Sequence, residues 1–266
     1  MGYGDMFFMR LNLITKILHN YLLYLLLLSA SAAVSAHELT LKMDVIYVKP
    51  WGYYLDNSLE TSKMMGILVE ISDLLTQETG IHFKKRLVPY ARVWDNLARG
   101  DTDMSILIYT PSKSMTVNYA GLLFNFNSIV IAKKGVYLQT YEDLRHLRIG
   151  VLRGEQLSAR FNGDSQLNKI EVRSYEIMIN MLRNERLDAL AGNSVSLLYL
   201  TRQADVASLL GNQLVLQTIP MMIQFSKKFN NPLVLQQIEM TAKTLYKDNV
   251  FENIVDGWGI FAWRME

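Results

Sequence analysis

Two short runs constrain the architecture most. Asp103 to Tyr109 and Leu187 to Ala191 are too short for helices, and the first is apolar on both faces at Ile106 to Ile108. That pattern suits a parallel strand covered by helices on both sides. Each run follows a helix-period segment. Tyr90 to Ala98 is predicted to stop at Gly100, and Ile177, Met178, Met181 and Leu182 mark a helix before the second run. Met178 and Met181 are expected to be core.

The rest of the chain fits the same alternation. Leu41, Met43, Val45 and Tyr47 alternate with polar residues as a strand, and a helix through Ile67, Ile71 and Leu75 is predicted to end at Gly80. Ile81 to Val88 is the next strand. A second unit follows, with Leu147 to Val151 as strand, Glu155 to Phe161 as short helix, and Lys169 to Arg173 as strand. Leu214 to Ile219 is a further strand, and Leu233 to Leu245 an amphipathic helix leading to an aromatic tail with Trp258 and Trp263. Tyr90, Leu97 and Asp103 recur as Tyr175, Leu182 and Asp188 at an offset of 85 residues, each set spanning strand end, helix and next strand. With no Pro- or Gly-rich linker, the expectation is an α/β protein of two similar lobes joined by strands, each lobe a mainly parallel sheet flanked by helices.

The N-terminus reads as an export signal. Arg10 and Lys16 precede a short apolar core at Tyr21 to Leu28, and Val34-Ser35-Ala36 places small residues before a cleavage site between Ala36 and His37. Met6 or Met9 is an alternative start. Residues 1–36 are thus expected to be removed from an exported chain, the other reading being an uncleaved membrane anchor. About 230 residues remain, enough for two lobes with their own cores.

Several chemistries are excluded or unsupported. There are 27 basic and 25 acidic side chains, so no basic footprint for nucleic acid exists. The absence of cysteine excludes disulfides, thiol nucleophiles and zinc-cysteine sites. The four histidines, His19, His37, His82 and His146, form no ligand spacing, so no metal is expected. No nucleotide loop or serine-hydrolase motif occurs, so no cofactor is expected either.

An ordered set of short motifs carries a resemblance. Val88 to Asp103 contains Leu97-x-x-Gly100-x-x-Asp103. Thr110-Pro111-Ser112-Lys113 follows, then Phe126 to Lys134, then Tyr141-Glu142-Asp143-Leu144 with Ile149-Gly150-Val151-Leu152-Arg153-Gly154, and finally Arg186-Leu187-Asp188-Ala189-Leu190. In this order they resemble the bacterial periplasmic solute-binding proteins of family 3, across nearly all of the mature chain. The resemblance implies the two-lobed type II periplasmic binding protein fold with two crossover strands. Lobe one would be residues 37–126 and 220–266, and lobe two residues 127–219. It also implies a monomer that captures a small polar solute, amino-acid-like or a small carboxylate, and hands it to an ABC permease. Relatives instead sense ligands through a membrane partner or act as periplasmic enzymes of the dehydratase type. For the enzyme alternative Glu155 is the candidate acid; the first expectation is a non-enzyme.

Two departures bear on the ligand. Lys113 stands where amino-acid receptors of the family carry an arginine that forks onto the ligand carboxylate, and a lysine is a point charge instead. Asn193 stands where they carry an aspartate for the ligand ammonium. The expectation is therefore a solute other than a standard free α-amino acid. Expected ligand contacts are Tyr47, Trp51 and Tyr53 after the first strand, Arg92 at a helix start, and Tyr109, Thr110 and Lys113 past a buried strand. Arg153, Gly154, Glu155 and Gln156 are expected at a strand-to-helix junction whose free N–H groups suit an anion, with Asn193 and Ser194 at the matching junction.

Overall fold

The computed structural model describes residues 39–55 and 63–260. The expected signal peptide, its cleavage site and Trp263 lie outside them. Among the described residues no helix is long and apolar enough to cross a membrane.

Among the described residues, ten strands and seven α-helices follow one another, largely in the expected alternation. The chain runs through β1 (Thr40–Ile46), a small ribbon of β2 (Tyr53–Tyr54) and β3 (Met64–Met65), α1 (Ile67–Thr79), β4 (His82–Val88), α2 (Tyr90–Arg99) and β5 (Met104–Ile108). The long β6 (Val117–Lys133) leads to β7 (Arg148–Leu152), α3 (Ala159–Gly163), β8 (Asn168–Val172), α4 (Tyr175–Arg183), β9 (Ala189–Asn193) and α5 (Ser194–Gln203). The long β10 (Leu210–Ser226) returns to α6 (Pro232–Lys247) and α7 (Val250–Gly257). Apart from the ribbon, the strands form one sheet in the order β4-β1-β5-β10-β6-β9-β7-β8.

That order is two copies of one plan. In lobe one β4, β1 and β5 are parallel and β10 runs antiparallel beside β5; in lobe two β8, β7 and β9 are parallel and β6 runs antiparallel beside β9. The crossover strands β6 and β10, 17 residues each, pair with each other and join the copies. The buried side chains fall into clusters on the same plan. One cluster holds Leu41 to Phe126 and Ile219 to Ile260, with Val195; two others lie between Ile129 and Val206. β5 and β9 are buried at every position, as their two-faced apolar sequence requires.

The repeated aspartates explain how each copy is pinned. Asp103 accepts the backbone N–H of Lys42 in β1 at 2.7 Å, and its own N–H returns to the Lys42 carbonyl. Asp188 does the same with Arg148 in β7 at 2.8 Å, and also accepts the Arg148 guanidinium in two bonds. The run Tyr141-Glu142-Asp143-Leu144 is structural too: Asp143 closes a capping box with Thr140 on a 3₁₀ turn. A buried carboxylate, Asp44, ties β1 to β4 and α2 by accepting from Arg86 at 3.0 Å and from Asn96 at 2.6 Å.

Some boundaries differ from the sequence reading. α3 does not start at Glu155. It opens at Ala159 with the Ser158 hydroxyl accepting the Phe161 N–H, because Ser158 is the first residue able to cap it. The strand at Leu214 to Ile219 is the middle of β10, and Leu233 projects into solvent from α6. α5 and α7 had no counterpart in the expectation.

Candidate ligand-binding cleft

The cleft lies where the C-terminal ends of β1, β5, β7 and β9 meet across the crossover strands. This is the usual site for ligands in open α/β sheets. Its walls come from both lobes. Lobe one supplies Ile46, Trp51, Tyr90 and Leu107; lobe two supplies Leu152, Glu155, Gln156 and Asn193; Phe126 and Ile219 on the crossovers form the floor. The walls border about 450 Å3 of atom-free space, part of it open to solvent, but stand so close that only about one or two water centres fit. A solute of several atoms reaches this space only when the lobes part.

Glu155 is the polar centre. It lies in the turn after β7, where its N–H donates to the Leu152 carbonyl at 3.1 Å. Its Oε1 accepts the Asn193 side-chain amide at 2.9 Å and the Asn193 backbone N–H at 3.3 Å, and the Tyr175 hydroxyl lies 2.7 Å from both oxygens. Burial pushes the Glu155 carboxyl above the usual carboxylate range, against these donors, which act to lower it. Tyr175 is held well above an ordinary phenol by burial and then by the Glu155 charge. Gly192 makes this geometry possible, because a Cβ there would stand 2.4 Å from the Tyr175 hydroxyl. Asn193 also caps α5 by accepting the Ser196 N–H at 2.7 Å, so its amide is oriented by both jobs.

Tyr90 faces the same carboxylate from lobe one. Its hydroxyl is buried beside the Trp94 indole and meets no other partner among the described residues. Burial, then the nearby Glu155 charge, raises its pKa. Trp51 is buried against Phe124 and Phe126, with ring centroids 6.2 and 5.8 Å away.

Only some of the expected contacts converge. Trp51, Glu155, Gln156 and Asn193 line the enclosed cavity. Tyr47 lines an open groove on one flank with Pro89 and Arg173, while Tyr109 and Thr110 face Gln156 and Ser158 across a groove on the other. Tyr53 lies elsewhere: its ring packs edge-on against Trp258, and burial beside Tyr199 raises its pKa to about 12. Lys113 points over the Trp94 ring at 5.8 Å, and neither it nor exposed Arg92 lines the enclosed cavity or either flanking groove. Arg153 pairs with Glu171 at 3.5 Å on the surface, its side chain 62% exposed. Ser194 is buried at the start of α5. The expected anion-binding junction at residues 153–156 is a turn and not a helix start. α3 starts later, and the Arg153 and Glu155 N–H groups already donate to Val172 and Leu152. Gly154, at φ 79°, is instead a lobe-to-lobe contact, since a Cβ there would lie 3.5 Å from the Ala91 Cβ of α2.

Tyr90 and Tyr175 were not among the expected contacts. Their signal was the 85-residue echo, which pointed to the repeat but not to the cleft between its copies.

The sequence matches no family model and no curated protein. Solved structures do match. An ancestral arginine-binding protein bound to arginine aligns at TM-score 0.66 with 18% identity, covering 82% of this chain and 97% of that one. The AvGluR1 ligand binding domain in complex with phenylalanine aligns at 0.70 with 19% identity, over 83% and 94%. The ancestral amino acid-binding protein AncCDT-1, a precursor of cyclohexadienyl dehydratase, aligns at 0.66 with 15% identity, over 82% and 95%. The chain thus has the two-lobed periplasmic binding protein fold.

Proposed function

We propose that this protein is an exported, non-enzymatic receptor that captures a small solute between its lobes and presents it to a membrane partner. One observation carries the reading: the enclosed cavity is built from the strand ends of both lobes and closes too tightly for a solute to enter without lobe opening. The expected small carboxylate is not favoured, since no cationic side chain lines the enclosed cavity. An ABC permease and a membrane sensor are both partners that recognise a closed form. The binding proteins among the structural relatives support the reading at the level of the fold.

The test is a thermal-shift panel of amines, carboxylates, amino acids and sugars on the purified protein. A solute that binds only the folded state adds about 2.7 kcal/mol at a hundredfold excess over Kd. A shift with one chemical class, without conversion of that solute by NMR, supports the receptor; no shift across the panel overturns it. A second reading rests on Glu155. Burial shifts the Glu155 carboxyl toward its protonated form, the direction a general acid needs, so an enzyme of the dehydratase type on this fold is the alternative. Conversion of a bound solute that is abolished by Glu155→Gln would favour it.

A further inference from the structure

The charges and unused hydrogen-bonding groups of the cavity specify more than a fold-level reading. We propose, building on the solute-capture reading, that the solute is a small monocation, an alkyl- or arylalkyl-ammonium without a carboxylate. Its N–H groups bond Glu155 and the Tyr90 oxygen, and its hydrocarbon lies among Trp51, Phe126 and the aliphatic wall.

The first argument is charge. Among the described residues, Glu155 and Tyr90 are the only ionisable side chains lining the cavity. A ligand carboxylate would meet the Glu155 charge and no cation. Lys113 lies over Trp94, Arg153 is spent on Glu171, and Arg92 is out at the surface. An ammonium ion supplies the missing opposite charge to a carboxylate that is costly to leave uncompensated.

The second argument is hydrogen-bond capacity. Glu155 Oε1 accepts from Asn193 twice, whereas Oε2 has only a share of the single Tyr175 proton. The Tyr90 oxygen, beside the Trp94 indole N–H, keeps a second lone pair. An acceptor pair with spare capacity fits a group that carries several donors and no acceptor, which describes an ammonium. A sugar would need polar partners all round, and beyond Gln156 and Asn193 the remaining walls are hydrocarbon. The third argument is the aromatic wall. Trp51, Tyr90 and Phe126 present ring surface to a cation held near the carboxylate.

Affinity would then depend on pH. The titratable groups facing Glu155 are Tyr175 from α4 and Tyr90 from α2, both held above the ordinary phenol value by burial. The Glu155 carboxylate is lost as pH falls through its raised value, so the amine then binds less tightly.

Calorimetry on the purified protein tests this with three probes sharing a branched carbon skeleton: isopentylammonium, 4-methylpentanoate and leucine. The expected order is isopentylammonium first, leucine at least about tenfold weaker, and 4-methylpentanoate without measurable binding. Glu155→Gln should weaken the amine by roughly 10–100-fold, the loss of a charge-assisted bond. Tyr90→Phe, a milder change, should weaken it several-fold with an unaltered circular dichroism spectrum. Tighter binding of either carboxylate-bearing probe, or full amine affinity in a folded Glu155→Gln protein, overturns the proposal. Failure of all three while a sugar or other neutral solute binds overturns the amine and leaves solute capture standing; silence of the wider panel overturns both.

Discussion

A carboxylate in a hydrocarbon cleft changes how stability responds to pH. Burial raises the Glu155 pKa, so the folded chain holds this proton more tightly than the unfolded chain does. Linkage then makes stability fall as pH rises from the ordinary carboxylate value to the raised one. In urea unfolding between pH 4 and 8, the wild type should lose stability relative to Glu155→Gln as pH rises; parallel curves would remove the argument. Asp188 works in the opposite sense. The Arg148 hydrogen bonds lower its pKa, so its stabilisation is present at neutral pH and is lost as pH falls through the lowered value. The deficit of Asp188→Asn should therefore shrink on acidification. At Asp44 the partner is the sensitive position. Arg86→Met would leave a carboxylate that is 1% exposed without its cation, a loss of about 3 kcal/mol by chemical denaturation, at the low end for such pairs because Arg86 itself is half-exposed. Gly192→Ala should push the Tyr175 ring off Glu155 and cost about 1–3 kcal/mol. Single residues were the least legible level of the sequence. Lys113 and Asn193 departed from the family pattern visibly, but only coordinates show Lys113 over a tryptophan and Asn193 bound to Glu155.

At the scale of elements the sequence was more readable, because burial writes itself into apolar spacing. β5, β9 and α4, and the helix stops at Gly80 and Gly100, were all legible. The misreading at α3 has a local cause. Glu155 to Phe161 has helical composition, but the turn after β7 must first bring Gly154 past α2, which delays the helix to the Ser158 cap. α5 opens at the Asn193 N-cap, an ordinary helix start, but its weakly amphipathic sequence carries little apolar spacing to mark it. The α2 contact also offers a way to hold the cleft open. Ala91→Phe adds bulk on an exposed helix position facing Gly154, so the fold should survive with melting temperature nearly unchanged while ligand affinity drops at least about tenfold. Equal affinity in this variant would show that closure does not pass through that contact.

At the scale of the molecule, two lobes share one sheet through β6 and β10, so opening must bend or twist a pair of long strands, not swing a loose linker. Small-angle scattering should show a smaller radius of gyration with saturating ligand than without, and no change in Ala91→Phe. The repeat that builds this sheet also has a consequence for how a ligand is oriented. Two identical subunits around a two-fold axis would offer the same groups from both sides, and a molecule on that axis could bind equally well in either of two reversed poses. Here the equivalent tyrosines have parted ways: Tyr175 is committed to Glu155, and Tyr90 lies beside the Trp94 indole. The cavity therefore has a head and a tail, and one pose is favoured over its reverse.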